Sequence, residues 1–251
     1  MKKFLAICLT AVLSLSFLTA CGGKKDDKLV MLTNASFPPF EYVKDGTVQG
    51  VDAEIAALIA QEMGKELEIV DMDFDLIVAG VKGGKGDIGV AGMSISEERL
   101  EQVTFSVPYV DSVLIIVVPV GSDIKSPADL AGKTIAVQEG TTADLFVNNA
   151  DNGVNAKEVL SFKNAVTAGT TVAEGKADAA VIDNLTGENV VSQMSDKLEI
   201  LPEELGHEQY AIAMAKDAPQ ELVDAVNKVL TKLVEDGTVD ELITKHMEAS
   251  K

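Results

Sequence analysis

The stretch of residues 92–109 has a composition suited to binding a carboxylate, and it contains a single arginine, Arg99. Ser96 is a typical helix N-cap, and the two glutamates after it suit the positive end of a helix dipole. A helix that begins there carries Arg99 in its first turn. A guanidinium binds a carboxylate through two parallel hydrogen bonds, and Ser94 with the nearby backbone can add further ones. The alternative is a solvated arginine on a helix surface.

A candidate anion, Asp183, ends a repeat in the chain. Residues 84–92 (GKGDIGVAG) and 175–183 (GKADAAVID) align without a gap, and each pattern predicts a helix end, a turn and a short strand. If each copy belongs to its own lobe, the two strand ends face each other across a cleft, where open α/β sheets bind ligands. One end then offers the cation Arg99 and the other the anion Asp183. This arrangement fits an amino acid zwitterion, whereas the alternative role of Asp183 is a helix N-cap.

The turn at residues 138–142 (QEGTT) is predicted to lead into a helix that begins near Ala143. The free backbone N–H groups of a helix start, together with the hydroxyls of Thr141 and Thr142, can form a seat for a carboxylate. Either threonine could instead act only as the N-cap of that helix.

Aromatic side chains flank the predicted cleft. Residues 34–41 (NASFPPFE) follow the apolar strand predicted at 29–33, and their two prolines cannot continue a central strand. We therefore expect Phe37 on an irregular turn at the rim of the sheet and Phe40 in the core. Phe74 follows a second predicted strand, and a place in the core is its alternative.

The composition excludes several classes of function. The chain has 251 residues, 47% of them hydrophobic, which is enough for two modest cores. The formal net charge of −19 makes nucleic acid an unsuitable partner. The sequence has no Cys/His cluster, no phosphate-binding glycine loop and no nucleophile elbow. We therefore predict no metal, no cofactor and no catalytic residue.

The N-terminal residues 1–20 have the pattern of a secretion signal, with two lysines followed by a largely apolar run. The sequence Leu-Thr-Ala-Cys at its end resembles the lipobox of bacterial lipoproteins, which implies a lipid anchor on Cys21. Residues 21–28 are polar and suit a flexible tether. An ordinary leader that ends near a cysteine is the alternative.

Two sequence motifs resemble those of a known protein family. The sequence Met-Ser-Ile-Ser-Glu-Glu-Arg, followed by Phe-Ser-Val-Pro-Tyr, resembles the signature of extracytoplasmic solute-binding proteins of family 3, which serve polar amino acid ABC importers. The resemblance extends over nearly the whole chain after residue 28. It implies that Arg99 binds the ligand α-carboxylate with help from the Ser94 hydroxyl, and that Asp183 binds the α-ammonium. It also implies that Phe37 stacks on the ligand side chain and that Phe74 closes its other side.

The resemblance implies an α/β, periplasmic-binding-protein-like fold of two α/β lobes joined by two hinge crossings. Residues 29–112 and 210–251 are predicted to form the first, discontinuous lobe, and residues 113–209 the second. Amphipathic helices are predicted at 219–235 and 238–247, after the chain returns to the first lobe. Ligand binding is expected to close the cleft.

We therefore predict a monomeric, extracytoplasmic protein, lipid-anchored to the bacterial cell membrane, that captures a polar L-amino acid and delivers it to ABC transporter permease subunits. Asn34 and Gln138 suit an amide-bearing side chain without excluding arginine, so the ligand is expected to be glutamine or arginine. The alternative is a secreted dehydratase of the same fold acting on prephenate or arogenate. Such an enzyme needs a buried general acid, and the carboxylates closest to the predicted cleft are Asp183 and Glu139. The predicted ligand-binding residues are Asn34, Phe37, Phe74, Gly92, Met93, Ser94, Arg99, Gln138, Thr141, Thr142 and Asp183.

Overall fold

The computed structural model describes residues 27–250. The predicted secretion signal, Cys21 and most of the predicted tether lie outside the described residues. Within the described part of the chain, no helix is both long enough and apolar enough to cross a membrane.

The first lobe contains a five-stranded sheet with strands from distant parts of the chain. Its strands are β1 (Lys28–Thr33), β5 (Glu66–Asp71), β6 (Ile88–Gly89), β7 (Val103–Phe105) and β14 (Ala213–Ala215). Their order in the sheet is β5-β1-β6-β14-β7, with β1 parallel to both of its neighbours and β14 antiparallel to both of its own. Strand β14, which comes late in the chain, therefore lies in the same sheet as β1, which begins it.

The helices of the first lobe are α1 (Val51–Glu62), α2 (Ile77–Lys82), α3 (Glu97–Leu100), α7 (Gln220–Glu235) and α8 (Thr238–Ala249). A small sheet of β2 (Ser36–Phe37), β3 (Glu41–Lys44) and β4 (Thr47–Gln49) lies beside α1. Helix α7 follows the predicted amphipathic pattern and packs on α1. Its buried residues are Leu222, Val226, Leu230 and Leu233. Each side chain of this size adds about 1.5–3 kcal/mol when fully buried, so the C-terminal helices are firmly docked on the first lobe.

The second lobe contains a six-stranded sheet. Its strands are β8 (Val110–Pro119), β9 (Thr134–Gln138), β10 (Glu158–Phe162), β11 (Ala179–Asp183), β12 (Leu198–Ile200) and β13 (Gly206–Tyr210). The order is β10-β9-β11-β8-β12, and β13 also pairs with β8. Helices α4 (Thr142–Asn148), α5 (Ala165–Ala173) and α6 (Asn184–Gln193) pack on this sheet. Single 3-10 turns occur at Phe74–Leu76, Pro127–Leu130 and Ala150–Asn152.

The chain passes between the lobes where β7 leads into β8 and where β13 leads into β14. At this point Tyr210 of β13 pairs with Val110 of β8, so the two passages run side by side. The boundaries predicted at 112/113 and 209/210 fall inside β8 and β13, and this division of the chain remains a proposal. Because paired strands bridge the lobes, they are the natural hinge for a change in the interlobe angle.

Candidate ligand-binding site

A narrow cavity of only about 10 Å³ lies between the lobes, at the ends of strands from both sheets. It is small beside the roughly 300–1,000 Å³ of ordinary ligand pockets, as expected for two lobes in close contact. The predicted site residues line it except Asn34 and Met93, and Ala91 is an additional member of the wall. Its lining residues are Phe37, Phe74, Ala91, Gly92, Ser94, Arg99, Gln138, Thr141, Thr142 and Asp183.

Arg99 is buried at the start of α3. The Ser96 hydroxyl accepts a hydrogen bond from the Arg99 backbone N–H at 3.3 Å, which confirms the predicted N-cap. The side chain is only 7% exposed, so the alternative of a solvated arginine is wrong. Nη1 donates to the Ser94 carbonyl at 2.6 Å, and Nη2 donates to the Gly140 carbonyl of the second lobe at 3.0 Å. Burial lowers the pKa of Arg99, yet a guanidinium stays charged and attracts an anion.

Asp183 ends β11 and is 6% exposed. Its Oδ1 accepts a hydrogen bond from the Tyr210 hydroxyl at 2.7 Å. Asp183 occupies the N-cap position of α6, but within the described residues its side chain makes no capping hydrogen bond. Burial raises the pKa of Asp183 to about 7, and the negative charge of Glu208 contributes in the same direction. The carboxylate therefore faces the cavity without a full counter-charge.

The two threonines at the start of α4 have different roles. The Thr141 hydroxyl accepts from the Asp144 backbone N–H at 3.2 Å and donates to the Gln138 carbonyl at 2.7 Å, so Thr141 is the helix N-cap. Thr142 is the first helical residue, one position before the predicted start, and its hydroxyl donates to the Glu208 carboxylate at 2.8 Å. The alternative role proposed for both threonines therefore applies to Thr141.

The two phenylalanines of the cavity are both nearly buried. Phe37 lies in β2 with its ring stacked on that of Phe40, at a centroid distance of 6.0 Å. Phe40 is fully buried, as predicted. The Arg99 guanidinium carbon lies 5.3 Å from the centre of the Phe74 ring, within range of a cation–π interaction. Phe74 thus combines its place in the cavity wall with packing in the core of the first lobe.

Comparison with known proteins identifies the family. The model of the bacterial extracellular solute-binding proteins, family 3, matches residues 29–249. The chain belongs to this family. It is 33% identical to the arginine-binding extracellular protein ArtP of Bacillus subtilis, over 100% of both chains. Family membership places the protein outside the cytoplasm.

Solved structures of amino-acid-binding proteins confirm the predicted fold. An amino acid ABC transporter substrate-binding protein, AbpA of Streptococcus pneumoniae bound to L-arginine, matches with a TM-score of 0.84 and 34% identity, over 90% of this chain and 97% of the other. A mutant of ArgBP from T. maritima matches with a TM-score of 0.82 and 39% identity, over the same shares of the two chains. These family members are solute-binding proteins and not enzymes, so the dehydratase alternative is wrong.

In this family 3 protein, Met93 does not line the cavity, and its contact with the ligand stays a prediction. Its side chain is fully buried in the core of the first lobe. Its neighbours Gly92 and Ser94 line the cavity, whereas the Met93 side chain packs among the apolar residues of the protein interior.

Asn34 also lies outside the cavity lining, where it contacts the lining residue Gln138. Its Oδ1 accepts from the Gln138 side-chain amide at 3.1 Å, and its Nδ2 donates to the Met72 carbonyl at 2.8 Å. Gln138 gives its second amide hydrogen to the Lys163 carbonyl at 3.2 Å. With both amide hydrogens used, the Gln138 side chain presents Oε1 as its remaining acceptor. This end of the cavity therefore suits a hydrogen-bond donor.

Sequence reasoning missed Glu208, which lies on β13 at the passage between the lobes. Its Oε2 accepts hydrogen bonds from the Ser94 hydroxyl at 2.5 Å and from the Thr142 hydroxyl at 2.8 Å. The available signal was an acidic residue at the start of the predicted second crossing. That signal was weak, because exposed glutamates are common in this chain.

A buried pair of carboxyl groups supports the cavity from the first lobe. The Asp52 carboxylate accepts from the Gly92 backbone N–H at 2.8 Å and from the Tyr109 hydroxyl at 2.7 Å. Burial raises the pKa of Asp52 to about 6. Glu41 is fully buried beside it, and its carboxyl group hydrogen-bonds to the Asp52 carboxylate. Burial, and then the charge of Asp52, raise the pKa of Glu41 well above its ordinary value.

An ion-pair cluster around Lys163 joins the two lobes. The Lys163 ammonium of the second lobe lies 3.1 Å from Asp75 and 3.5 Å from Asp73 of the first lobe. It also pairs at 2.9 Å with Glu139, whose side chain is 45% exposed. Glu139 therefore does not provide the buried general acid that a dehydratase would need. Among the described residues, no group of histidine, cysteine or acidic side chains is arranged to hold a metal ion.

Proposed function

We propose that the protein binds a polar L-amino acid between its lobes and delivers it to an ABC importer, with L-arginine as the preferred ligand and L-glutamine as the second. The observation that carries this proposal is the presence of Arg99 and Asp183 in one cavity, on opposite lobes. An amino acid offers a carboxylate for the first and an ammonium for the second. Both charges are nearly buried, so each gains from a partner of opposite sign.

The ligand side chain is proposed to lie between Phe37 and Phe74, with its tip at Gln138. The free Oε1 of Gln138 accepts hydrogen bonds, and both a guanidinium and a side-chain amide can donate them. The names of the relatives favour arginine, because ArtP of B. subtilis is an arginine-binding protein and AbpA was solved with L-arginine. Glutamine remains second because an ancestral arginine-binding protein, 38% identical to this chain, was also solved bound to glutamine.

A thermal-shift panel of the twenty amino acids tests this function. We expect L-arginine to give the largest rise in melting temperature, because a ligand at 100 times its Kd adds about 2.7 kcal/mol of apparent stability. Agmatine, which keeps the guanidinium and lacks the carboxylate, is the matched control and should give little rise. Absence of a shift with every amino acid would contradict the proposal.

The lipid anchor on Cys21 and delivery to permease subunits are parts of the same proposal. Metabolic labelling with a fatty acid should mark the wild type and not the Cys21→Ser variant, because the lipid is attached through the cysteine thiol. A wild type that takes up no label would contradict the anchor. For delivery, deletion of the chain should reduce arginine uptake, and unchanged uptake would argue against this role.

A further inference from the structure

Glu208 takes hydrogen bonds from both lobes at one oxygen atom. Its Oε2 accepts from Ser94 Oγ at 2.5 Å and from Thr142 Oγ1 at 2.8 Å. Ser94 follows β6 in the first lobe, and Thr142 opens α4 in the second. Glu208 itself lies on β13, at the hinge. One carboxylate therefore binds a hydroxyl from each wall of the cavity.

These bonds determine what the two hydroxyls can offer a ligand. A serine or threonine hydroxyl has one hydrogen to donate and two lone pairs to accept with. Ser94 and Thr142 each donate their one hydroxyl hydrogen to Glu208, so toward the cavity these hydroxyls can only accept hydrogen bonds. A ligand carboxylate is also acceptor-only, whereas an ammonium carries three donors and no acceptor. This corner of the cavity consequently suits an ammonium.

The charges in and beside the cavity agree with this assignment. Glu208 and Asp183 are close enough for the charge of Glu208 to contribute to the raised pKa of Asp183, after burial as the main cause. Both carboxylates also act on Arg99, where they oppose the effect of burial on the guanidinium. When both are ionised, two negative charges face one positive charge. L-arginine carries one net positive charge and would balance that excess.

We propose that Glu208 is a positioning residue that selects for the α-ammonium of the ligand, by turning the Ser94 and Thr142 hydroxyls into acceptors and by adding a second negative charge beside Asp183. Arg99 then takes the ligand carboxylate. This inference rests on the proposed function, and it reassigns the Ser94 hydroxyl from the carboxylate to the ammonium.

The test compares L-arginine with argininic acid, which keeps the carboxylate and the guanidinium but has a hydroxyl in place of the ammonium. Calorimetry on the full chain should give a clear preference for L-arginine in the wild type. Glu208→Gln removes the charge at nearly constant volume. We expect its affinity for L-arginine to fall by about tenfold or more, the equivalent of 1.4 kcal/mol, while its affinity for argininic acid stays within about threefold.

Two further variants complete the experiment. Glu203→Gln removes an exposed carboxylate shortly before β13 and should leave both affinities unchanged. Thr142→Val removes one of the two hydroxyls and should reduce the preference for L-arginine in the same direction as Glu208→Gln. Because this variant leaves Glu208 in place, the proposal stays falsifiable even if Glu208→Gln does not fold.

The possible outcomes distinguish a failure of the Glu208 inference from a failure of the proposed function. An equal loss of affinity for both ligands in Glu208→Gln would indicate a purely structural residue and overturn the inference. A gain in affinity for L-arginine would show that Glu208 competes with the ligand carboxylate, which also overturns it. If the wild type binds L-arginine but Glu208→Gln and Thr142→Val keep its full preference, only this inference falls. If the wild type binds no amino acid, the proposed function fails and this inference fails with it.

Discussion

Groups of the protein itself hold the Arg99 side chain in place. Its guanidinium bonds to the Ser94 and Gly140 carbonyls and lies over the Phe74 ring. Carbonyl oxygens carry only partial negative charge, so these contacts orient the guanidinium without neutralising it. A ligand carboxylate gives the guanidinium a charged hydrogen-bond partner.

We predict that Arg99→Ala weakens L-arginine binding by at least about 30-fold, because loss of one partner of a buried, hydrogen-bonded charge pair costs about 2–5 kcal/mol. Calorimetry measures the loss, and thermal unfolding checks that the variant still folds. Arg99→Lys is the control that keeps the charge but loses the planar fork, and it should be intermediate. An Arg99→Ala affinity within threefold of the wild type would remove Arg99 from the site.

Because the pKa of Asp183 is raised, we predict that ligand binding depends on pH. That pKa is raised to about 7, mainly by burial, while an ammonium ligand needs the ionised form. Below pH 7 the carboxyl group must therefore lose a proton before the ligand can bind. We expect affinity for L-arginine to fall as the pH drops from 7.5 to 5.5, by at most about tenfold per unit.

Calorimetry in buffers of different ionisation enthalpy should also detect proton release on binding near pH 7. Asp183→Asn is the control, since it should bind weakly and with a flatter pH profile. A wild-type affinity that is constant over this range would contradict an ammonium contact at Asp183.

At the scale of elements, the turn between β9 and α4 approaches the first lobe at Gly140. Its φ is +74°, and a Cβ added there would lie 2.8 Å from the Asp75 Cβ and 3.1 Å from its Cα. The same turn carries the carbonyl that accepts from Arg99. Close contact of the lobes therefore requires glycine at this position, both for its backbone conformation and for space.

We predict that Gly140→Ala weakens ligand binding by about tenfold or more, because the methyl group prevents full closure around the ligand. Gly132→Ala is a matched control, since Gly132 has the same φ of +74° and a Cβ there would meet no described atom within 4 Å. Both variants should lose stability by about 1–2 kcal/mol from the left-handed backbone. Calorimetry and urea unfolding separate the two effects, and equal affinities in the two variants would contradict the steric explanation.

Strand β3 and helix α1 bring Glu41 and Asp52 together beneath Gly92. The pKa of Glu41 is raised in the folded protein, so its contribution to stability is fully present below the unfolded value near 4.5 and is lost as the pH rises. The pair therefore makes the protein less stable toward alkaline pH.

We predict that Glu41→Gln becomes more stable relative to the wild type between pH 5 and pH 8, by at most about 1.4 kcal/mol per pH unit. Urea unfolding at several pH values measures this difference. Glu203→Gln is the control for removal of a glutamate charge at the surface. A difference between Glu41→Gln and the wild type that does not change with pH would show that Glu41 is ionised in the folded state.

At the scale of the whole molecule, the ligand contacts are divided between the lobes. Arg99 and Ser94 belong to the first lobe, and Asp183 and Gln138 to the second. Only a closed arrangement lets one small ligand bond to all of them, so the ligand stabilises closure through its contacts. The Lys163 cluster adds an exposed interlobe ion pair whose contribution falls with salt.

We predict that saturating L-arginine reduces the radius of gyration measured by small-angle scattering, because ligand binding shifts the population toward the closed form. Arg99→Ala, measured at the same arginine concentration, is the control and should stay unchanged. If the wild type starts open and keeps the same radius of gyration with bound ligand, ligand-driven closure is wrong.

The sequence by itself determined those features of the protein that depend on residues close together along the chain. The Ser96 cap spans three residues, the two C-terminal helices follow their apolar spacing, and the family motifs identify the fold and the residues around the cavity. The reason is that capping and periodicity act within a few residues along the chain, where spacing is nearly fixed by the backbone.

Only the tertiary structure decided which groups meet across the cleft. Ser94 and Glu208 are 114 residues apart in sequence, and the Glu41 and Asp52 carboxyl groups meet because β3 and α1 pack together. The direction of the Met93 side chain, into the core of the first lobe, depends on the path of the chain between β6 and α3. Such contacts depend on how the lobes pack and on the hydrogens each hydroxyl has already committed, and neither can be read from local spacing.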